Sequence, residues 1–149
     1  MKWTTSDLEQ VLEHQQYIDT MIVPLCPVSL HKDQISLAEQ REDLIILTSE
    51  IERTYKGRVV IAPEFTYLLG ENNKLDRLNQ WHQEFIQSGM KHVFYVTCDY
   101  DWKQLNAEFD ETLIWLPALN INNLDETTQR VIVDKQLTHL NALFSKIWG

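Results

Sequence analysis

"HVFYVTCDYDW", residues 92–102, is the stretch whose reading decides the fold. It opens on aromatic and β-branched side chains with no polar alternation, and ends on a thiol, Cys98, and two carboxylates, Asp99 and Asp101. A strand with one wet face alternates apolar and polar residues, whereas a strand covered on both faces of a parallel sheet reads as a continuous apolar run. Three further segments share the continuous pattern: "MIVPL" at 21–25, "RVVIA" at 58–62 and "TLIWL" at 112–116.

Helical periodicity fills the intervals. An oxygen-bearing side chain followed three positions later by an acid occurs at Ser6/Glu9, Ser36/Glu39, Asn73/Asp76 and Asn123/Glu126. That spacing caps and charge-matches the first free amides of a helix. Lys56–Gly57 and Ser88–Gly89 supply glycine where a helix ends in a left-handed residue. Apolar stripes follow helical spacing at Leu44, Leu47, Ile51 and Tyr55, and again at Leu75, Leu78, Trp81, His82 and Phe85. A third stripe, Val133, Leu137, Leu140, Phe144 and Ile147, reads either as core packing or as a homodimer seam on the C-terminal helix. It spans only about two heptads, short of the three or four a coiled coil needs.

The alternation predicts one α/β domain over residues 1–149: a three-layer sandwich around a four-stranded parallel sheet. Its layering is flavodoxin-like, with strand order 2-1-3-4 favoured. Residues 98–111 leave room only for a short helix, "WKQLNAE", capped by Asp101.

Composition narrows the function. The 149 residues carry a net charge of −9, from 13 basic and 22 acidic side chains, with 44% hydrophobic residues. Arg53, Lys56 and Arg58 are flanked by Glu50 and Glu52, so no basic patch offsets the repulsion from a phosphate backbone, and nucleic-acid binding is not expected. No apolar run approaches the roughly 18 residues of a membrane span. Two cysteines, Cys26 and Cys98, are too few for a disulfide framework, and no basic-then-apolar leader opens the chain. The expectation is a soluble cytoplasmic protein.

The connections are asymmetric. Helix-to-strand turns are tight, while the strand-to-helix loops are long: residues 26–35, "PEFTYLLGENN" at 63–73, and "PALNINN" at 117–123. In a parallel sheet these loops gather at the carboxyl edge, where ligands of such folds bind. Leu30, Phe65, Tyr67, Leu68, Leu69, Leu119 and Ile121 are unusually apolar for solvated loops. They either extend the core, roof a pocket for a small ligand, or meet a protein partner. His31 shares the first loop, beside Lys32 and Asp33, and reads as a rim residue or as part of a solvated turn.

Catalytic signatures are sparse. Gly57 and Gly89 end helices, Gly149 is terminal and Gly70 stands alone, so neither a dinucleotide fingerprint nor a phosphate loop is present and no cofactor is expected. Ser29 lacks flanking glycines, which leaves no nucleophile elbow. The five histidines are scattered, with no metal-ligand spacing. His82 falls inside an apolar stripe and reads as a core histidine. Cys26 and Cys98 would end neighbouring strands, as inert buried thiols or as a functional pair. Glu64 and Asp99 leave the second and third strands at equivalent places. They are either turn residues or a carboxylate pair for acid–base work of the hydrolase or glycosyl-transfer kind. The leading expectation is a binding or protein-interaction module using the apolar rim; the alternative is an enzyme using Glu64 and Asp99.

Several motifs together, Lys2–Trp3, "YIDT" at 17–20, "PLCPVSL" at 24–30, "KGRV" at 56–59, "FTYL" at 65–68 and "WLPAL" at 115–119, resemble the YpiF-like family of small proteins from Bacillus-type Firmicutes. The resemblance implies a cytosolic bacterial protein of unknown function and transfers no catalytic residue.

Overall fold

A computed structural model describes residues 1–31, 33–105 and 107–149. Among the described residues the α-helices and strands follow in chain order: α1 (Thr5–Glu13), β1 (Thr20–Val28), α2 (Gln34–Thr54), β2 (Val59–Ile61), β3 (Phe65–Leu68), α3 (Lys74–Gln87), β4 (His92–Thr97), β5 (Leu113–Trp115) and α4 (Glu126–Trp148). Every strand pairing is parallel. The sheet runs β2-β1-β4-β5, with β3 also paired to β1. The four segments expected from the sequence therefore stand in the expected order, and β3 is a fifth strand within a stretch that reads as loop.

Strand β1 explains why its sequence shows no alternation. Met21, Val23 and Leu25 pack into one apolar cluster with α1 and α3, while Ile22 and Cys26 pack into a second with α2 and α4. Val93 and Tyr95 of β4 divide from Phe94 and Val96 in the same way. Both faces are dry, so both phases of the two-residue period must be apolar. His82 belongs to the first layer, where its Nδ1 lies 2.8 Å from the Tyr95 hydroxyl and its ring sits 4.7 Å from that of Phe109. Burial lowers its pKa.

Two prolines sit inside this central strand, where a missing N–H would break a ladder. Ile22 and Val28 turn their carbonyls toward β2 and β3, accepting from Ala62 and Leu69, so Pro24 faces that side too. There it meets the break between Ile61 and Phe65, where no ladder bond is needed. Pro27 faces the other way, past Thr97, where β4 has already ended. Each imide is placed where its neighbour has no acceptor to satisfy.

The connection from β4 to β5 differs from expectation. In place of the helix capped by Asp101, a 3-10 turn covers Tyr100–Gln104 and a second covers Asp110–Thr112; Asn106 lies outside the described residues. Asp99 is the cap, accepting from the Asp101 amide at 3.1 Å. Other caps shift as well: Thr4 opens α1 and Asp125 opens α4, each accepting from the amide three residues on. The α4 stripe, Val133, Leu137, Leu140 and Phe144, is buried against α2 and the sheet. That packing occupies the surface a homodimer seam would need, so the stripe is intramolecular core. Among the described residues no helix is long and apolar enough to cross a membrane.

Candidate functional site

The strand order places a switch point at the carboxyl end of β1 and β4. From β1 the chain crosses through α2 to β2 on one side; from β3 it crosses through α3 to β4 on the other. Loops leaving β1 and β4 therefore head to opposite faces, and in open α/β sheets such a point is where ligands sit.

The rim residues separate into two groups. Phe65 and Tyr67 are buried strand residues, 0% and 2% exposed, and Ile121 is buried at 1%. They extend the core, because β3 alternates inward and outward along "FTYL". Leu30, Leu68, Leu69 and Leu119 remain exposed, joined by Val28, Ile35, Tyr100 and Trp115. Leu68 stands in register beside Val28, and Tyr100 meets Trp115 edge to face at 5.5 Å. His31 is exposed on the loop after β1.

Two buried polar groups hold this rim in shape. Asp43, mid-helix on α2 and 5% exposed, accepts from the backbone amides of Leu119, Asn120 and Ile121 at 2.8, 3.0 and 2.8 Å. The turn it grips contains Asn120 at φ 50° in the left-handed region, which an Asn tolerates better than most residues. One carboxylate thereby fixes the loop that turns Leu119 outward and Ile121 inward. On the opposite layer, the Tyr67 hydroxyl donates to Asp99 at 2.6 Å and accepts from the Trp102 indole at 2.8 Å. Burial first, and the Asp99 carboxylate second, push the Tyr67 pKa far up. Lys74, 3% exposed, pairs with Asp101 and lies 5.1 and 5.2 Å from the Tyr67 and Trp102 ring centroids. Neither Asp43 nor Lys74 carries a local sequence signal. Their partners lie 76 to 78 and 27 residues away.

Glu64 and Asp99 do not meet in one cavity. Glu64 reaches Arg41 of α2 at 2.6 Å and lines a cleft of about 260 Å³ beneath that helix, opened by the break between β2 and β3. Asp99 is absent from that lining and is engaged by Tyr67, on the α3 side of the sheet. Cys26 lines the cleft. Burial, then the Glu64 carboxylate, raises its pKa to about 12; burial and Asp43 raise Cys98 to about 12 as well. Both are free thiols, and at neutral pH they stay protonated and poorly nucleophilic. Among the described residues no group of three His, Cys, Asp or Glu side chains is arranged to hold a metal ion.

Uncharacterized protein YpiF of Bacillus subtilis (strain 168) is 26% identical to this chain over 149 residues, covering 100% of this chain and 99% of that protein. No solved structure matches. Residues 9–148 match the family model described as "Protein of unknown function (DUF2487)", and the chain belongs to that family.

Proposed function

We propose that the protein is an interaction module whose working surface is the apolar rim at the carboxyl edge of the sheet. The observation that carries this reading is the concentration of large exposed apolar side chains there. Leu30 is 88% exposed and Leu68 62%, and Ile35, Tyr100, Trp115 and Leu119 stand on the same edge. Single exposed apolar residues are ordinary; a cluster on one edge of the sheet is not. The rim is also rigidly built, because Asp43 pins one loop and the Tyr67–Asp99–Trp102 network pins another. Preorganised loops lose little conformational freedom on association. The partner that fits is a protein offering an apolar anchor with basic flanks, since the chain carries a net charge of −9.

An acid–base enzyme using Glu64 and Asp99 has less behind it, because the two carboxylates are engaged on opposite sides of the sheet. The test of the module reading is affinity capture with the wild-type chain, a Leu30→Ser/Leu68→Ser/Leu119→Ser variant, and Ile86→Ser as an off-rim control. A specific partner retained by wild type and control, and lost by the rim variant with unchanged circular dichroism, is the expected outcome. Equal retention by all three chains overturns the reading.

A further inference from the structure

We infer that the face formed by Trp3, α1 and α3 is a binding site for a quaternary ammonium compound carrying an apolar tail. Two adjoining cavities on that face, away from the carboxyl rim, share Trp3, Glu84 and Phe85. The smaller, about 280 Å³, is lined by Trp3, Pro63, Gln80, Trp81, Glu84 and Phe85. Two indoles and a phenyl ring around a small space, with Glu84 where that space joins its larger and more polar neighbour, make the chemistry that recognises an organic cation. Ring faces attract the positive charge, while a methylated head, poorly hydrated, gives up little on leaving water. A strongly hydrated ion would not be matched by so apolar a lining.

The walls are set in place. Trp81, Glu84 and Phe85 share one face of α3 by their spacing. Phe65 backs Trp81 edge to face at 5.0 Å, and Trp81 meets Phe85 at 6.2 Å and 84°. Trp3, 54% exposed, lies between two local anchors: the Lys2 amide donates to Asp7 at 2.7 Å, and Thr4 accepts from the Asp7 amide. Among the described residues Glu84 is the single ionisable side chain lining either cavity, and it has no ion-pair partner there. Lys2, the nearest cation in sequence to Trp3, lines the Arg41–Glu64 cleft instead.

The larger cavity supplies the tail site. It measures about 540 Å³ and is lined by Leu8, Val11 and Leu12 of α1 together with Met21, Val60 and Met90. That volume is in the range of small-molecule sites, and the lining is mostly apolar. A head held at Glu84 places its chain directly into it, because the two cavities meet at that residue.

The test is a head-group series at sub-micellar concentration, measured by calorimetry and by the indole N–H resonances of Trp3 and Trp81. Decyltrimethylammonium is expected to bind saturably one to one, the uncharged decyldimethylamine oxide about tenfold more weakly, and decyl sulfate weakest. Choline, with the head but no tail, should bind more weakly than decyltrimethylammonium. Trp3→Ala and Glu84→Gln change exposed side chains, so the fold survives, and each should weaken the cation about tenfold. Glu84→Gln should also collapse the preference for the cation over the amine oxide. No saturable binding, equal affinity for all three heads, or an unchanged preference in Glu84→Gln overturns the inference.

Discussion

Asp43 is the residue on which the rim most depends. A carboxylate 5% exposed accepts three backbone amides from one turn, so each N–H at the start of that turn has a charged acceptor. Loss of the acceptor would leave those amides buried without partners, which is the expensive direction of the exchange. Asp43→Asn replaces one acceptor oxygen with an NH₂ pointing at donors. The expected cost is roughly 2–4 kcal/mol in urea unfolding. Rim capture should fall with it, because Leu119 would no longer be held outward. A cost below about 0.5 kcal/mol would place the turn's stability elsewhere. Lys74 shows the complementary case, a buried cation offset by Asp101 and two ring faces. Its retention in a mostly apolar layer depends on those partners being in place.

Strand β3 carries the main lesson at the level of the element. Phe65 and Tyr67 point in while Thr66 and Leu68 point out. Substitution costs along the strand should therefore alternate. Phe65→Ala is expected to cost roughly 3–5 kcal/mol and Leu68→Ser less than about 0.5, measured by denaturant midpoint. Similar costs at both positions would show that the segment is not a strand packed on one side. The other four strands were legible because their residues divide between two apolar layers, which makes each a nearly unbroken apolar run, although Trp115 at the end of β5 is exposed. The fifth was not, because Pro63 stands just before it, only four residues alternate, and its edge position leaves every second residue wet. The same physics misdirected the site. Phe65 and Tyr67 read as rim residues in a loop and are buried strand residues, whereas Leu30, Leu68 and Leu119 are exposed. Asp43 and the Lys74–Asp101 pair were invisible, since only the folded chain brings their partners near. Helix caps moved by a few residues for a simpler reason: Thr4 and Asp125 compete with nearby Ser6 and Asn123 for the same role, and spacing alone does not rank them.

At the scale of the whole molecule, charge and apolar surface are distributed to do different things. The net charge of −9 acts over about one Debye length, roughly 10 Å at 0.1 M salt, and so would steer the approach of the basic-flanked partner proposed above. In the proposed complex the rim leucines would act only on contact, once water has been squeezed out. The α4 stripe takes no part, since it is spent on the chain's own core. Separate origins should separate the kinetics of the rim complex. Raising salt from about 50 to about 500 mM is expected to slow association at least about tenfold while dissociation changes little. Leu30→Ser should do the opposite, accelerating dissociation and leaving association within about twofold, because most interface substitutions act on the off-rate. Surface plasmon resonance across a salt series, with both chains, resolves the two rates. An association rate indifferent to salt would mean that the acidic surface plays no part in partner choice, and a partner with basic flanks would no longer follow from the charge.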